Sequence, residues 1–258
     1  MDNRPFTIFG PSHWIVLLLT VLSAVGLVKL LRSRHTNLKR IVRWGLAVSL
    51  VSAVLADPPI TYFRYVNQDP ALAWRLVQET AWPFYLCDVA AICAALALVL
   101  QNQTLAEITW CWGLGGTMQG LIYPSSLSYD WPNPDFYAFF AEHAGVPLAA
   151  ISLVIGMQLR PEPGVVWRVW KWLWVYYAGA AVVNLLLKSL GGYTTANYGF
   201  VCSSDYSPFA ILGPWPVYVF MQIDLLAGVF TMLTFPFLRH KGGYSFDNNV
   251  KNFRTPLE

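Results

Sequence analysis

Two side chains in this sequence pair a soft nucleophile with a base: the thiol of Cys87 and the imidazole of His143. A thiolate attacks carbonyl carbon, and a histidine can take the thiol proton and return it to a leaving group, so the pair suits acyl transfer. Pro83 stands shortly before Cys87. Proline favours the first turn of a helix, so Cys87 is expected near a helix N-terminus, where the dipole favours the thiolate. Each residue also has a quieter reading. A cysteine in an apolar helix commonly serves as a small apolar side chain, and Cys93 and Cys111 read that way. Cys202 falls in a loop and could bridge to Cys87 in an oxidising exterior, which would consume the nucleophile. His143 could equally be a core histidine held by hydrogen bonds. Asp88 need not touch Cys87, nor Glu142 touch His143, because adjacent helical positions point about 100° apart. No serine nucleophile elbow, HExxH or phosphate loop occurs. The four cysteines form no metal-spacing motif, so neither a metal nor a nucleotide cofactor is expected.

These groups must be positioned by membrane helices. Charged residues make up 12% of the 258 residues and hydrophobic residues 56%, and the mean hydropathy is +0.45. A soluble domain would be about a quarter charged. The apolar residues arrive in blocks separated by polar or Pro/Gly-rich punctuation, as spans separated by loops would. Backbone groups in a bilayer need internal partners, and the blocks are too long and uniform for barrel strands, so they are expected to be helices. Seven spans are expected, at 13–31, 41–63, 82–100, 105–123, 136–157, 165–190 and 212–238. They form one domain over 1–240, followed by a tail over 241–258. The first apolar block lacks the basic flank and cleavage site of a signal peptide and is read as the first span.

Orientation follows from Lys and Arg. Arg32, Arg34, Lys39, Arg40 and Arg43 follow the first span, and Arg160, Arg168 and Lys171 lie between the fifth and sixth. Arg239, Lys241, Lys251 and Arg254 follow the seventh. The opposite side holds only Arg4, Arg64, Arg75 and Lys188. The expected arrangement is therefore an exoplasmic N-terminus and a cytoplasmic C-terminus. Trp167, Trp170, Trp172 and Trp174 at one end, with Trp82, Trp131 and Trp215 at the other, read as interfacial anchors. Gly113, Gly115 and Gly116 are expected to permit close helix contact. The net charge of +3 and its placement at span ends point away from nucleic acid; membrane lipids are the expected partners.

In this frame the intramembrane polar groups gather in the outer half: His13, Asp57, Cys87, Asp88, Gln119, Glu142, His143, Asn184, Tyr218, Gln222 and Asp224. Only Glu107 sits at the inner end. Cys87 and His143 would lie roughly 7–11 Å below the outer interface at 1.5 Å per residue. A set drawn from so many spans at one level reads as a polar cavity open to the outside, although each residue alone could be inter-helical glue.

Several segments carry a resemblance in chain order. They are Phe6-Thr-Ile-Phe-Gly10-Pro-Ser-His13, Pro83-Phe-Tyr-Leu-Cys87-Asp88, Trp112-Gly113-Leu-Gly-Gly116-Thr117-Met-Gln119 and Tyr123-Pro124. His143, Thr195-Ala-Asn197-Tyr198 and Leu212-Gly213-Pro214-Trp215-Pro216-Val-Tyr218 follow. Together they resemble the YwaF-like integral membrane proteins. The animal relatives of that family are multipass acyltransferases that load polyunsaturated chains onto lysophospholipids, notably ether-linked phosphatidylethanolamine precursors. The resemblance implies a catalytic pair at Cys87 and His143. It departs from the family pattern after Tyr198, where Gly199-Phe-Val-Cys202-Ser-Ser-Asp205 replaces a segment that is often basic. The resulting expectation is a lipid acyltransferase of a cell membrane, working through a thioester. His13, Asp88, Gln119, Glu142, Asn184, Asn197, Tyr198 and Tyr218 would line its cavity, with Asn184, Gln119 or Tyr218 donating to the oxyanion. Hydrolysis by the same pair is the nearest alternative. A retinal protein is excluded by the absence of lysine from 212–238, whereas a transporter could use Pro214, Pro216 and Asp224.

Overall fold

The computed structural model describes residues 4–203 and 210–239. The expected tail at 241–258, with Lys241, Lys251 and Arg254, and Asp205 in the divergent loop lie outside the described residues.

The chain is all-helical among those residues, apart from an isolated bridge between Pro5 and Tyr129. The elements are α1 (Pro11–Arg32), α2 (Thr36–Tyr65), α3 (Pro70–Leu76), α4 (Leu86–Leu100), α5 (Gln103–Trp112), α6 (Met118–Ile122), α7 (Pro134–Ile151), α8 (Val165–Gly191) and α9 (Val217–Arg239). A π turn extends α3 over Val77–Ala81, another joins α5 to α6 over Gly113–Thr117, and a third ends α7 over Ser152–Gly156. Five helices are long and apolar enough to cross a membrane, and a sixth candidate span is the pair Pro70–Ala81 and Leu86–Leu100, bent by 66°. This is a multipass membrane protein.

Local sequence sets the ends. Prolines open α1, α3 and α7, where their fixed φ suits a first turn and no amide bond is lost. Asp69, Asn102 and Asn133 cap α3, α5 and α7 by accepting from backbone N–H groups of the first turn. α8 ends at Gly192 with φ 68°, a left-handed geometry that costs glycine little.

The core is made where α2, α4, α5 and α7 meet. Ala90, Ala91, Ala94 and Leu98 form a buried stripe down α4 against Val146, Ala149 and Ala150 of α7 and Leu50 of α2. Small residues let these helices approach closely: Gly113 faces Val146, Gly115 faces Phe230 and Gly116 faces Leu86. The outward faces are apolar instead of charged. Trp14, Leu18, Leu22 and Val25 on α1 and Leu185 and Leu186 on α8 are all exposed, as surfaces solvated by lipid would be.

The basic segments share one end of the bundle. Arg32 donates to the carbonyl of Ile155, and Arg43 to those of Leu98 and Val99 at the C-terminus of α4. Arg168 grips the fully buried carboxylate of Glu107 at 2.7–3.0 Å, with further bonds to that carboxylate from Gln103 and the Glu162 N–H. At the other end Arg64 pairs with Asp135 and Arg75 with Glu79. Trp167 and Trp172 are exposed at the first end, and Trp82, Trp131 and Trp215 at the second.

Candidate functional site

Cys87 is the second residue of α4. The expected span over 82–100 does not begin as a helix. Trp82 to Tyr85 form a non-helical elbow between the two limbs of the bent pair, and Pro83 lies in that elbow instead of in the first turn. Cys87 still stands at a helix N-terminus, and the cause is a cap. The Tyr85 N–H donates to Asp88 Oδ2 at 2.9 Å, closing the start of the helix three residues ahead of the carboxylate.

The elbow is held by residues far along the chain. The Tyr176 hydroxyl donates to the Phe84 carbonyl at 3.1 Å. The Trp82 N–H donates to the Tyr198 hydroxyl at 3.1 Å, and that hydroxyl donates to the Gln78 carbonyl at 3.0 Å. Burial pushes the Tyr198 phenol up, so it stays protonated and keeps donating. Asn184 anchors Tyr198 in turn: Nδ2 donates to its carbonyl and Oδ1 accepts its N–H, both at 2.8 Å. Asn197 accepts from the Cys202 and Ser203 N–H groups and donates to the Ser203 carbonyl. The Tyr218 hydroxyl donates to the Phe200 carbonyl. Asn184, Asn197, Tyr198 and Tyr218 thus brace the elbow and the following loop, and both amide atoms of Asn184 are engaged in that work.

Around the thiol the structure gathers acids. The sulfur of Cys87 and one oxygen each of Asp88 and Glu142 lie within 4.8 Å of one another. All four cysteines are free. Asp88 and Glu142 are each only 8% exposed, and neither forms an ion pair among the described residues. Glu142 Oε1 is buried without a hydrogen-bond partner among the described residues. The residue beside it, His143, is turned about 100° further round α7. Its ring lies flat on Phe139, with centroids 4.0 Å apart, and Nδ1 sits 2.9 Å from the Phe139 carbonyl. A carbonyl only accepts, so Nδ1 carries the proton and Nε2 presents a lone pair, the form a general base requires. Nε2 has no hydrogen-bond donor among the described residues.

Gly120 is a residue that reading by chemical type passes over. A Cβ there would lie 2.2 Å from His143 Cδ2 and 2.7 Å from Nε2, so the imidazole occupies the space that any other residue would fill. Gln119, its neighbour, donates from Nε2 to the Gly115 carbonyl at 2.9 Å. Glu79 carries no sequence signal of its role either. Buried at the foot of α3, it takes bonds from Arg75 and the Thr195 N–H and ties the first limb of the elbow to the 194–198 loop.

His13 stands apart from the thiol. Fully buried, it accepts the Phe9 N–H at Nδ1 (3.0 Å), so Nε2 carries the proton and donates to the Leu121 carbonyl at 2.9 Å. Phe6, Phe9 and Phe140 pack round it. With both nitrogens engaged, it pins the N-terminal segment to α6.

No curated protein and no solved structure matches the chain. A family model matches it across residues 8–234, from the segment before α1 to near the end of α9. The protein is a member of the TMEM164 family.

Proposed function

We propose that this protein is a membrane-embedded acyltransferase acting on phospholipids and lysophospholipids through Cys87 and His143. The observation that carries the proposal is the setting of Cys87. It is a free thiol on the first turn of a capped helix, among buried polar groups, with a histidine of matching tautomer on the facing helix. The motif-by-motif resemblance to YwaF-like proteins and their acyltransferase relatives adds support.

In the proposed cycle the Cys87 S–H gives its proton to His143 Nε2, and the sulfur attacks the ester carbonyl of a donor phospholipid. The carbon–oxygen bond breaks, His143 returns the proton to the departing lysophospholipid, and the acyl chain remains as a thioester. A lysophospholipid hydroxyl then gives its proton to Nε2 and attacks the thioester, and the sulfur leaves and is reprotonated. The amides of Leu86 and Cys87 occupy the first turn of α4, where no intrahelical carbonyl reaches them, and they suit a developing oxyanion. They fill that role better than Asn184, whose amide is committed to Tyr198.

The proposed frame is seven spans in a cell membrane, with an exoplasmic N-terminus and a cytoplasmic C-terminus. The unbroken helical run of α5, π turn and α6 is proposed as the seventh span, beyond the five long apolar helices and the bent pair. Arg32, Arg43 and Arg168 at one end of the bundle support a cytoplasmic assignment for that end. A second reading is transport, favoured by the 66° bend, because discontinuous helices build substrate sites in transporters.

Protein in nanodiscs, supplied with a lysophospholipid and an acyl-labelled phospholipid, tests the proposal. Transfer of label to the acceptor is expected, falling by about 10²–10⁴-fold in His143→Ala and to background in Cys87→Ala. Release of free fatty acid with the same dependence would assign a hydrolase. Transfer unchanged by both substitutions would overturn the pair, and uptake into vesicles without covalent change would favour transport.

A further inference from the structure

Asp88 and Glu142 come from different helices and meet at one sulfur, and no basic side chain among the described residues answers them. Carboxylates in a low-dielectric interior need a countercharge or a proton. Arg64, Arg75 and Arg168 are taken by Asp135, Glu79 and Glu107. The donors are also oriented. Asp88 accepts the Tyr85 N–H at Oδ2, which leaves Oδ1 available, and such bonds to a ligand typically set its direction in metal sites. Glu142, more than nine-tenths buried, interacts with Cys87 and Asp88 inside the cluster, and its Oε1 has no hydrogen-bond partner among the described residues.

We propose that Cys87 Sγ, Asp88 and Glu142 form a chelate for a thiophilic divalent cation of the zinc class. Zinc takes thiolate at about 2.3 Å and carboxylate oxygen at about 2.0–2.2 Å, so the edges of its tetrahedron measure about 3.3–3.8 Å. Donors already within 4.8 Å reach that geometry by contracting at most about 1–1.5 Å, a shift that side-chain torsions supply. Magnesium and calcium are poor occupants, since they need six or more oxygen ligands, or several retained waters, and gain little from sulfur. Binding releases the thiol proton and any proton held by the carboxyls, so the site loads more readily as pH rises. The fourth position of the metal stays open to water.

The chelate itself depends only on the geometry. Its consequence rests on the acyl-transfer reading: a metal-bound sulfur cannot form the thioester, so a zinc-class ion holds the enzyme off and a chelator releases it.

Untagged full-length protein in nanodiscs, titrated with Co²⁺, tests this. Expected are one equivalent of binding, a thiolate-to-cobalt charge-transfer band in the near ultraviolet, displacement by Zn²⁺, and protection of Cys87 from maleimide. Cys87→Ser removes the band, and Glu142→Gln weakens binding at least about tenfold. Asp88→Asn, which keeps the cap on Tyr85, also weakens it, and Cys93→Ser changes nothing. Absence of the band, or a band that survives in Cys87→Ser or keeps full affinity in Glu142→Gln, overturns the site and leaves carboxyls neutralised by protons. Acyl transfer is measured separately in chelator. A Cys87-dependent band without transfer keeps the site and removes the acyltransferase, whereas transfer without the band does the reverse.

Discussion

Gly120 and His143 occupy one volume, and that sets a condition on the base that its own chemistry does not. The ring is already held on one side by Phe139 and by the Nδ1 bond to the Phe139 carbonyl. It therefore has little room to retreat from a methyl group placed 2.2 Å from Cδ2. Gly120→Ala is expected to cost about 1–3 kcal/mol as overpacking and to depress acyl transfer towards the level of His143→Ala. Adding Gly120→Ala to His143→Ala should cost much less, because the clash is gone. Thermal unfolding of the four proteins closes this cycle, and additive losses would show that the two positions do not share space. Cys87 and His143 stand out in the sequence by chemical type. Glu142 as the neighbour of the sulfur does not, since a sequence places residues along a helix without fixing the rotation of one helix against another. Gly120 reads there as one more small residue among Gly113, Gly115 and Gly116.

At the scale of elements the elbow decides where the thiol sits. A hydropathy window sees one apolar run from Trp82 to Leu100 and cannot register that Trp82 to Tyr85 are non-helical. The bend is made by partners contributed from α8 and the 194–198 loop, and Tyr198 carries much of it. Tyr198→Phe keeps the ring that packs on Phe84 and Tyr85 but leaves the Trp82 N–H and the Gln78 carbonyl unpaired. Each buried group left this way costs about 1–3 kcal/mol. The loss should appear locally, as faster amide hydrogen exchange over 78–88 and faster maleimide reaction at Cys87, with little change in α1 or α9. Unchanged exchange over that segment would mean that the Tyr176 bond to Phe84 and the Glu79 anchor suffice. Asn184 and Tyr198 were both legible as important polar positions. Their role as braces was not, because it consists of bonds to backbone atoms, which carry no residue-specific signature.

For the whole molecule the asymmetry of charge is the feature a sequence reports best, since it needs only the order of spans. Arg32, Arg43 and Arg168 lie on three separate helices, yet each binds a carbonyl or carboxylate at the same end of the bundle. The span count is harder to read. α5, its π turn and α6 are individually short, and the pair around the elbow could cross the membrane or turn back within it. Position along the bundle axis bears on this second case. Gln103, just after α4, donates to the Arg160 carbonyl, which puts the foot of α4 at the basic end, while the 194–198 loop at the elbow lies with Arg75 and Glu79 at the other. α4 therefore runs the depth of the bundle. In a background with all four cysteines replaced by alanine, an impermeant maleimide added to intact cells should label Gln68→Cys and Ser126→Cys. It should reach His35→Cys only after permeabilisation. Labelling of His35→Cys alone would invert the proposed orientation, and protection of Ser126→Cys beside a reactive Gln68→Cys would remove the crossing assigned to α5 and α6 and with it the seventh span.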